Sequence, residues 1–450
     1  MKPRVYLLIV VFAPAWMAPS AASAECAEPA GTEPILDLRA VFERSAEREP
    51  ALAAERMRVE AAGQEVRAAA RELAPELGVR AEGDLGQRAR PGDERELGRS
   101  ARGDATAVLS WDLIRSERGP ARLEARRDRD AQIEAEGLRS HDHRLAVAQV
   151  YVEAALAVEI ESLVGDYRER VGELAEVVRR RSAEGVEDRY EIELVEDALA
   201  RLDRVVADAS SQRARALVEL ADWVGYCAQP EPLDLDEASR VQDARGEHAA
   251  ARHARAQAAA AEASASRIAR EEAWRAGPLG AAGLYASPAF EGSLQPEYYV
   301  GFFAEWRPDV GGIREARADA ERLRAIAHRE EAQSLELESE RAQRRWEQAR
   351  RRLSERRSAR ERERKRASRV LEIAELRWRE GVGPWREVLD AVERLEEVEL
   401  ELVQLQRETA LALIDLAEQA GRAEQLPSWL TGATRPDGEQ PRIEGGDHEH

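Results

Sequence analysis

The sequence predicts a mainly α-helical chain, a tandem repeat of long coiled helices, that also carries four β-strands for a membrane barrel. Three observations carry that prediction. Two glycine-broken helix tips share one layout, Arg180-Arg-Ser-Ala-Glu-Gly185-Val near the middle and Trp378-Arg-Glu-Gly381-Val-Gly-Pro384 near the end. Between helical segments lie short stretches whose apolar residues recur at every second position, the period of a strand with one apolar face. The composition, 35% charged and only 5% aromatic, suits long Ala/Leu/Arg/Glu helices better than a compact core.

Taken in order, the chain opens with Lys2 and Arg4, an apolar run over 7–17, and the small residues Ala22-Ser23-Ala24. That pattern predicts a cleaved export signal over 1–24. The run is too short for a membrane-spanning helix, which needs about 20 residues, and no later stretch is long and apolar enough. A membrane span would therefore have to be built from strands. A lead-in with Pro29, Gly31 and Pro34 gives way to helix over 38–73, with a break at Pro50. Pro75 stops it, and 77–86 alternates Val79, Ala81, Gly83 and Leu85 with Arg80, Glu82 and Asp84. One apolar and one charged face is what a strand between lipid and water requires. A polar loop is expected over 87–102 and a second strand over 105–111.

The segment 115–181 then reads as one helix, on the order of 100 Å long at 1.5 Å per residue. Leu163, Tyr167, Val171, Leu174 and Val177 mark its buried stripe. After the Gly185 tip a shorter helix returns over 189–224. The pattern then starts again, because Cys227-Ala-Gln-Pro echoes Cys26-Ala-Glu-Pro. Helix is expected over 244–274, stopped by Gly277-Pro278, then strands over 279–286 and 298–306. In the last of these Tyr298, Val300, Phe302, Ala304 and Trp306 share one face. A helix over 313–379, the Gly381 tip and a return helix to about 420 complete the repeat. The return stripe is Val388, Val392, Leu395, Val398, Leu402 and Leu405. The two repeats span 25–226 and 227–421, and the Pro/Gly/acidic segment 422–450 is expected to be a disordered tail.

Chemistry is sparse. A net charge of −20 argues against nucleic acid as a partner, and the runs Arg344-Arg345 and Arg350-Arg351-Arg352 interleave with Glu355, Glu361 and Glu363 as on a solvated helix face. His141 and His143 lie two apart on a helix and so on different faces, poor metal-ligand geometry. His448 and His450 sit in the tail. No zinc spacing, phosphate loop or nucleophile arrangement is present, so no metal, no cofactor and no enzyme activity are expected. An exported chain permits a disulfide between Cys26 and Cys227, and the sequence does not demand one. Four strands cannot close a barrel, and an open sheet edge is not tolerated in lipid, so at least two copies must share one.

The chain resembles the TolC-like outer membrane factors, the outer-membrane efflux proteins, from about Leu36 to Gly421. The carriers are Leu36-Asp-Leu-Arg-Ala-Val-Phe42, Glu49-Pro50-Ala-Leu-Ala-Ala-Glu-Arg56, Leu73-Ala-Pro-Glu-Leu77, and the two tips. The second tip is the most specific, with Arg377-x-x-x-Gly381 and Val388-Leu389-Asp390. The resemblance implies a homotrimer, with twelve strands in one outer-membrane barrel and a helical barrel in the periplasm. It implies a passive, gated exit duct for a tripartite efflux or type I secretion system, in contact with outer-membrane lipid. A periplasmic adaptor would dock on the tips at Gly185, Val186, Gly381 and Val382, and an inner-membrane transporter would supply the energy. Glu387 and Asp390 match the acidic residues that narrow the entrance in that family. The rival reading is a non-channel periplasmic coiled-coil scaffold or adaptor, which should carry a β-rich domain between helical arms.

Overall fold

The computed structural model of the chain describes residues 34–71, 76–89, 97–110, 114–185, 189–235, 241, 246–286 and 294–432. The export signal expected over 1–24 and Cys26 lie outside them. The elements run β1 (Ile35–Leu36), α1 (Leu38–Arg48), α2 (Pro50–Arg71), β2 (Glu76–Ala89), β3 (Leu97–Ser110), β4 (Ile114–Arg115), α3 (Arg118–Ala183) and α4 (Arg189–Val224). Then follow β5 (Gln229–Pro230), α5 (Ala249–Arg270), β6 (Trp274–Ala286), β7 (Leu294–Trp306), α6 (Ile313–Arg379), α7 (Trp385–Ala420) and α8 (Leu426–Leu430). The long helices α3 and α6 have 66 and 67 residues, so the soft glycines inside 115–181 do not break the first of them. Among the described residues no helix is long and apolar enough to cross a membrane.

The chain forms two compact units, and each draws on both sequence repeats. One comprises 50–140 and 247–340, and its centre is an antiparallel sheet. β2 pairs with β3, β3 with the second half of β6, and β7 with β6 on its other side. β4 continues the β3 edge through Ile114↔Ala276. The spatial order is β2, β3, β6, β7, so one hairpin from each repeat meets at β3–β6.

The strands are longer than their alternation predicts. β2 and β3 have 14 residues each, and register runs from Glu76↔Ser110 to Ala89↔Leu97, so most of the expected loop 87–102 is strand. The ladder is made by the backbone, and polar side chains at 87–89 and 97–102 do not interrupt it. The expected helix 244–274 is also corrected. It starts at Ala249, where the His248 ring accepts from the Ala250 amide, and ends at Arg270. Gly277-Pro278, read as its stop, lies inside β6. Pro278 falls between the β4 and β3 ladders, where no partner on that side calls for its missing N–H.

β7 carries the predicted apolar face. Tyr298 and Val300 are 84% and 87% exposed, with Phe302 and Trp306 also open, and Trp274 stacks on Trp306 at 5.9 Å. Across β6 and β7 the ion pair Arg275–Glu305 (2.5 Å) sits between them in the alternation.

The other unit comprises 1–49, 141–246 and 341–450, described from residue 34 on. Its larger core gathers Leu38, Val41, Val147, Tyr151, Leu220, Leu413 and Leu430. Here β1 and β5, one from each expected repeat, pair in parallel, and the buried Tyr151 hydroxyl reaches the carbonyls of Leu36 (3.1 Å) and Glu231 (3.2 Å). The predicted α7 stripe is buried at Val388, Val392, Leu395, Val398 and Leu405, whereas Leu402 is half-buried. On α3 the buried stripe is Val164, Tyr167, Val171, Leu174, Ala175 and Val178, so Leu163 and Val177 lie at its margin.

The expectation of a disordered tail from 422 is wrong for its first eleven residues. Gly421 caps α7 in the left-handed conformation (φ 63°), a 3-10 turn spans Ala423–Gln425, and α8 inserts Leu426, Trp429 and Leu430 into the core. Their spacing of three and four is an amphipathic signal that the surrounding Pro, Gly and acids mask. Residues 433–450, with His448 and His450, lie outside the described residues.

Candidate functional site

The two helix tips and the base of the α6–α7 hairpin form the candidate site, all within the second unit. At the α6 end, Val382 and Gly383 amides bond back to the Arg377 carbonyl (2.8 and 3.2 Å), and Gly381 takes φ 73°. A left-handed residue just past a helix end is where glycine costs least, since it has no Cβ to meet the carbonyl. Pro384 sits before the first helical residue with extended backbone, and α7 begins at Trp385. Gly185 makes the equivalent turn at φ 76°, with its amide on the Ser182 carbonyl (2.9 Å). Val186 lies outside the described residues, and Val382 is 68% exposed.

Sequence reasoning missed what holds these turns. Trp378 and Trp385, the last residue but one of α6 and the first of α7, are buried against each other with ring centroids 4.9 Å apart. Arg181, from the α3 end, lies over the Trp378 ring at 4.7 Å. Its guanidinium donates to the carbonyls of Trp378 (2.8 Å) and Arg379 (2.7 Å). Those carbonyls belong to the last turn of α6, where the helix dipole is negative; the Trp378 carbonyl also accepts the Gly381 amide (3.0 Å), and Arg181 adds a second, charged donor. The Trp-x6-Trp spacing around Gly381 was the signal available; Arg181 left none beyond a basic helix end.

The predicted acidic pair lies one turn apart on α7. Asp390 is exposed, and Glu387, also exposed, accepts from Arg377 at 2.9 Å across the turn. Both lie off the buried stripe of Val388, Val392 and Leu395. The same face continues to Arg394, which bridges Glu397 (2.5 Å) and Glu363 of α6. Arg360 also donates to Glu363 (2.6 Å), and the Arg360 hydrogen bond, with Arg394 behind it, holds that carboxyl below the usual glutamate range. Half-buried Glu396 behaves oppositely. Desolvation raises its pKa, with Glu393 adding and Arg201 opposing.

A second polar cluster crosses α3, α6 and α7. Tyr167 donates to Glu399 (2.7 Å), Arg170 pairs with Glu375 (2.8 Å), and burial pushes Glu159 upward against a hydrogen bond from Gln406. The histidines of interest are structural. Buried His143 bonds the Ser45 hydroxyl (2.9 Å) and meets the Trp223 ring edge-on, while His141 faces the Glu418 carbonyl (3.3 Å). Among the described residues no group of three metal-ligating side chains gathers. Cys227 is disulfide-bonded.

No family model and no curated protein matches the sequence. Solved structures do. The outer membrane protein VceC from Vibrio cholerae superposes with a TM-score of 0.68 at 17% identity, over 85% of this chain and 96% of that one. The CmeC outer membrane channel of Campylobacter jejuni gives 0.67 at 13% identity over 96% of both. The open-state MtrE outer membrane channel of Neisseria gonorrhoeae gives 0.63 at 18%, over 88% and 90%. At these identities the likeness is one of architecture: the chain has the fold of outer-membrane channels, the fold that its resemblance to the TolC-like outer membrane factors implied.

Proposed function

We propose that the chain is one protomer of a homotrimeric outer-membrane exit duct, a passive conduit that performs no chemistry. The observation that carries this reading is the sheet. It presents an exposed apolar face at Tyr298, Val300, Phe302 and Trp306, and its outer strands β2 and β7 have no further partner among the described residues. Strands of 13 and 14 residues exceed the roughly 9–11 that a tilted membrane strand needs. Pairing β7 of one copy with β2 of the next removes the open edges, and three copies give twelve strands. The export signal over 1–24 would deliver the chain, and a Cys26–Cys227 disulfide would tie its start to the β5 region.

In this reading the tips at Gly185, Val186, Gly381 and Val382 meet a periplasmic adaptor that links the duct to an inner-membrane transporter. Three copies of Glu387 and Asp390 would ring the entrance, favouring cations and repelling anions. Since Glu387 is engaged by Arg377, Asp390 contributes the freer charge. Membrane fractionation and native mass determination give the first test, with an outer-membrane trimer expected. In planar bilayers Asp390→Ala should then raise conductance and relieve block by divalent cations. A soluble periplasmic monomer, or channels unaltered by the substitution, would overturn the corresponding part of the reading.

A further inference from the structure

We propose that the groove between α6 and α7, just beyond the tip, binds an organic anion: one carboxylate, sulfonate or phosphate group on an apolar body. The groove is open to solvent, has a volume of about 600 Å³, and is lined by Ala359, Arg362, Arg366, Val370, Ala391 and Arg394, with Glu363 among them. That volume falls within the range of small-molecule sites. It stands open because the facing positions carry alanine on both helices, where Leu or Val would fill the seam.

The charge around it is unusual for this chain. Residues 341–369 hold fourteen cationic side chains against four glutamates, in a protein whose net charge is −20. Much of that charge is neutralised in place. Arg356 pairs with Glu408 (2.6 Å), Arg357 with Glu361 (3.1 Å), and Arg360 with Glu401 (2.9 Å). Glu363, the groove's own carboxylate, is held between Arg360 and Arg394. Arg362 and Arg366 are different. They lie four residues apart, on one helix face, both line the groove, and neither forms an ion pair among the described residues. Two guanidinium forks over a floor of Ala359, Ala367, Val370 and Ala391 match an oxyanion above an apolar body. Because Glu363 is already doubly engaged, it does not quench them.

The binding claim stands on the groove alone; that its ligand is cargo of the duct rests on the function proposed above. Ala391 adjoins Asp390 and Arg394 lies about one helical turn beyond it, so a bound anion would lie within about a turn of the acidic pair. A duct lined this way would hold organic anions that the carboxylates would otherwise repel.

The test uses the full-length protein in nanodiscs of zwitterionic lipid, titrated with anilinonaphthalene sulfonate and, separately, with uncharged N-phenylnaphthylamine. Wild type should show a saturable component for the sulfonate. In Arg362→Gln/Arg366→Gln that component should weaken at least tenfold, with the uncharged probe unchanged. Val370→Trp, which fills the groove and keeps the charges, should abolish it. Equal sulfonate affinity in all three proteins, or no saturable component in wild type because a second copy covers the groove, would overturn the proposal. Neither readout depends on conduction, so a failed bilayer experiment on Asp390 would leave this result untouched.

Discussion

Replacing Arg181 with alanine probes the join between the two tips directly. The guanidinium makes two charged hydrogen bonds to α6 carbonyls, at 2.8 and 2.7 Å, and one stacking contact at 4.7 Å. Hydrogen bonds from a charged donor contribute about 1.5–3 kcal/mol when buried, but one of these is exposed and the other half-buried. Discounting both, and adding about 0.5 kcal/mol for an exposed cation–π contact, gives roughly 2 kcal/mol. That loss is local, since it concerns the last turn of α6 and the turn that follows. About 2 kcal/mol is roughly a thirtyfold rise in the opening constant of that segment. Native-state hydrogen exchange reads it at the Gly381, Val382 and Gly383 amides, all bonded within the turn. Core amides of α7 around Leu413 should be unaffected. Arg181→Lys keeps the charge but cannot span two carbonyls with a rigid fork, so it should restore less than half of the protection. Unchanged exchange at 381–383 in the alanine variant would show that the tryptophan pair alone holds the turn, and the reasoning would fail.

Two further outcomes are expected. Gly381→Ala has free space for its new methyl group, so its cost is the left-handed backbone alone, about 1–2 kcal/mol; trypsin cleavage at Arg379 should quicken about tenfold, and Gly381→Asn should be milder. Glu159 has its pKa raised in the folded protein by burial, so the folded state holds the proton more tightly than the unfolded one. Stability from this group is therefore greatest at or below the ordinary glutamate value and declines as pH rises through the raised one. Glu159→Gln should raise the denaturation midpoint at neutral pH, and the gain should vanish in acid. A difference that does not change with pH would place the effect elsewhere.

How much of this was legible in the sequence depends on the range of the interaction that fixes each part. The tips are local: Gly185, Gly381 and Pro384 stop helices by their own backbone preferences, and both turns lie where those residues put them. The Glu387–Arg377 pair spans ten residues within one hairpin and follows once the hairpin is drawn. Strand length is less legible, because pairing between backbones carried β2 and β3 through Arg, Gln and Ser that a side-chain pattern reads as loop. The short α8 was hidden by its composition, though Leu426, Trp429 and Leu430 have the spacing of a buried face. Arg181 was not legible at all, since its carbonyl partners lie 197 and 198 residues away. It also shows where the two tips differ. Aligned on the tip glycine, Arg181 falls opposite Arg377, but Ser182 and Arg189 stand where the second tip has Trp378 and Trp385. Both tips therefore carry the cation and only the second carries the ring; Arg181 of the first lies over Trp378 and donates to the Trp378 and Arg379 carbonyls. The contact therefore runs one way: Ser182 offers Arg377 no ring, and Arg377 pairs instead with Glu387 within its own hairpin.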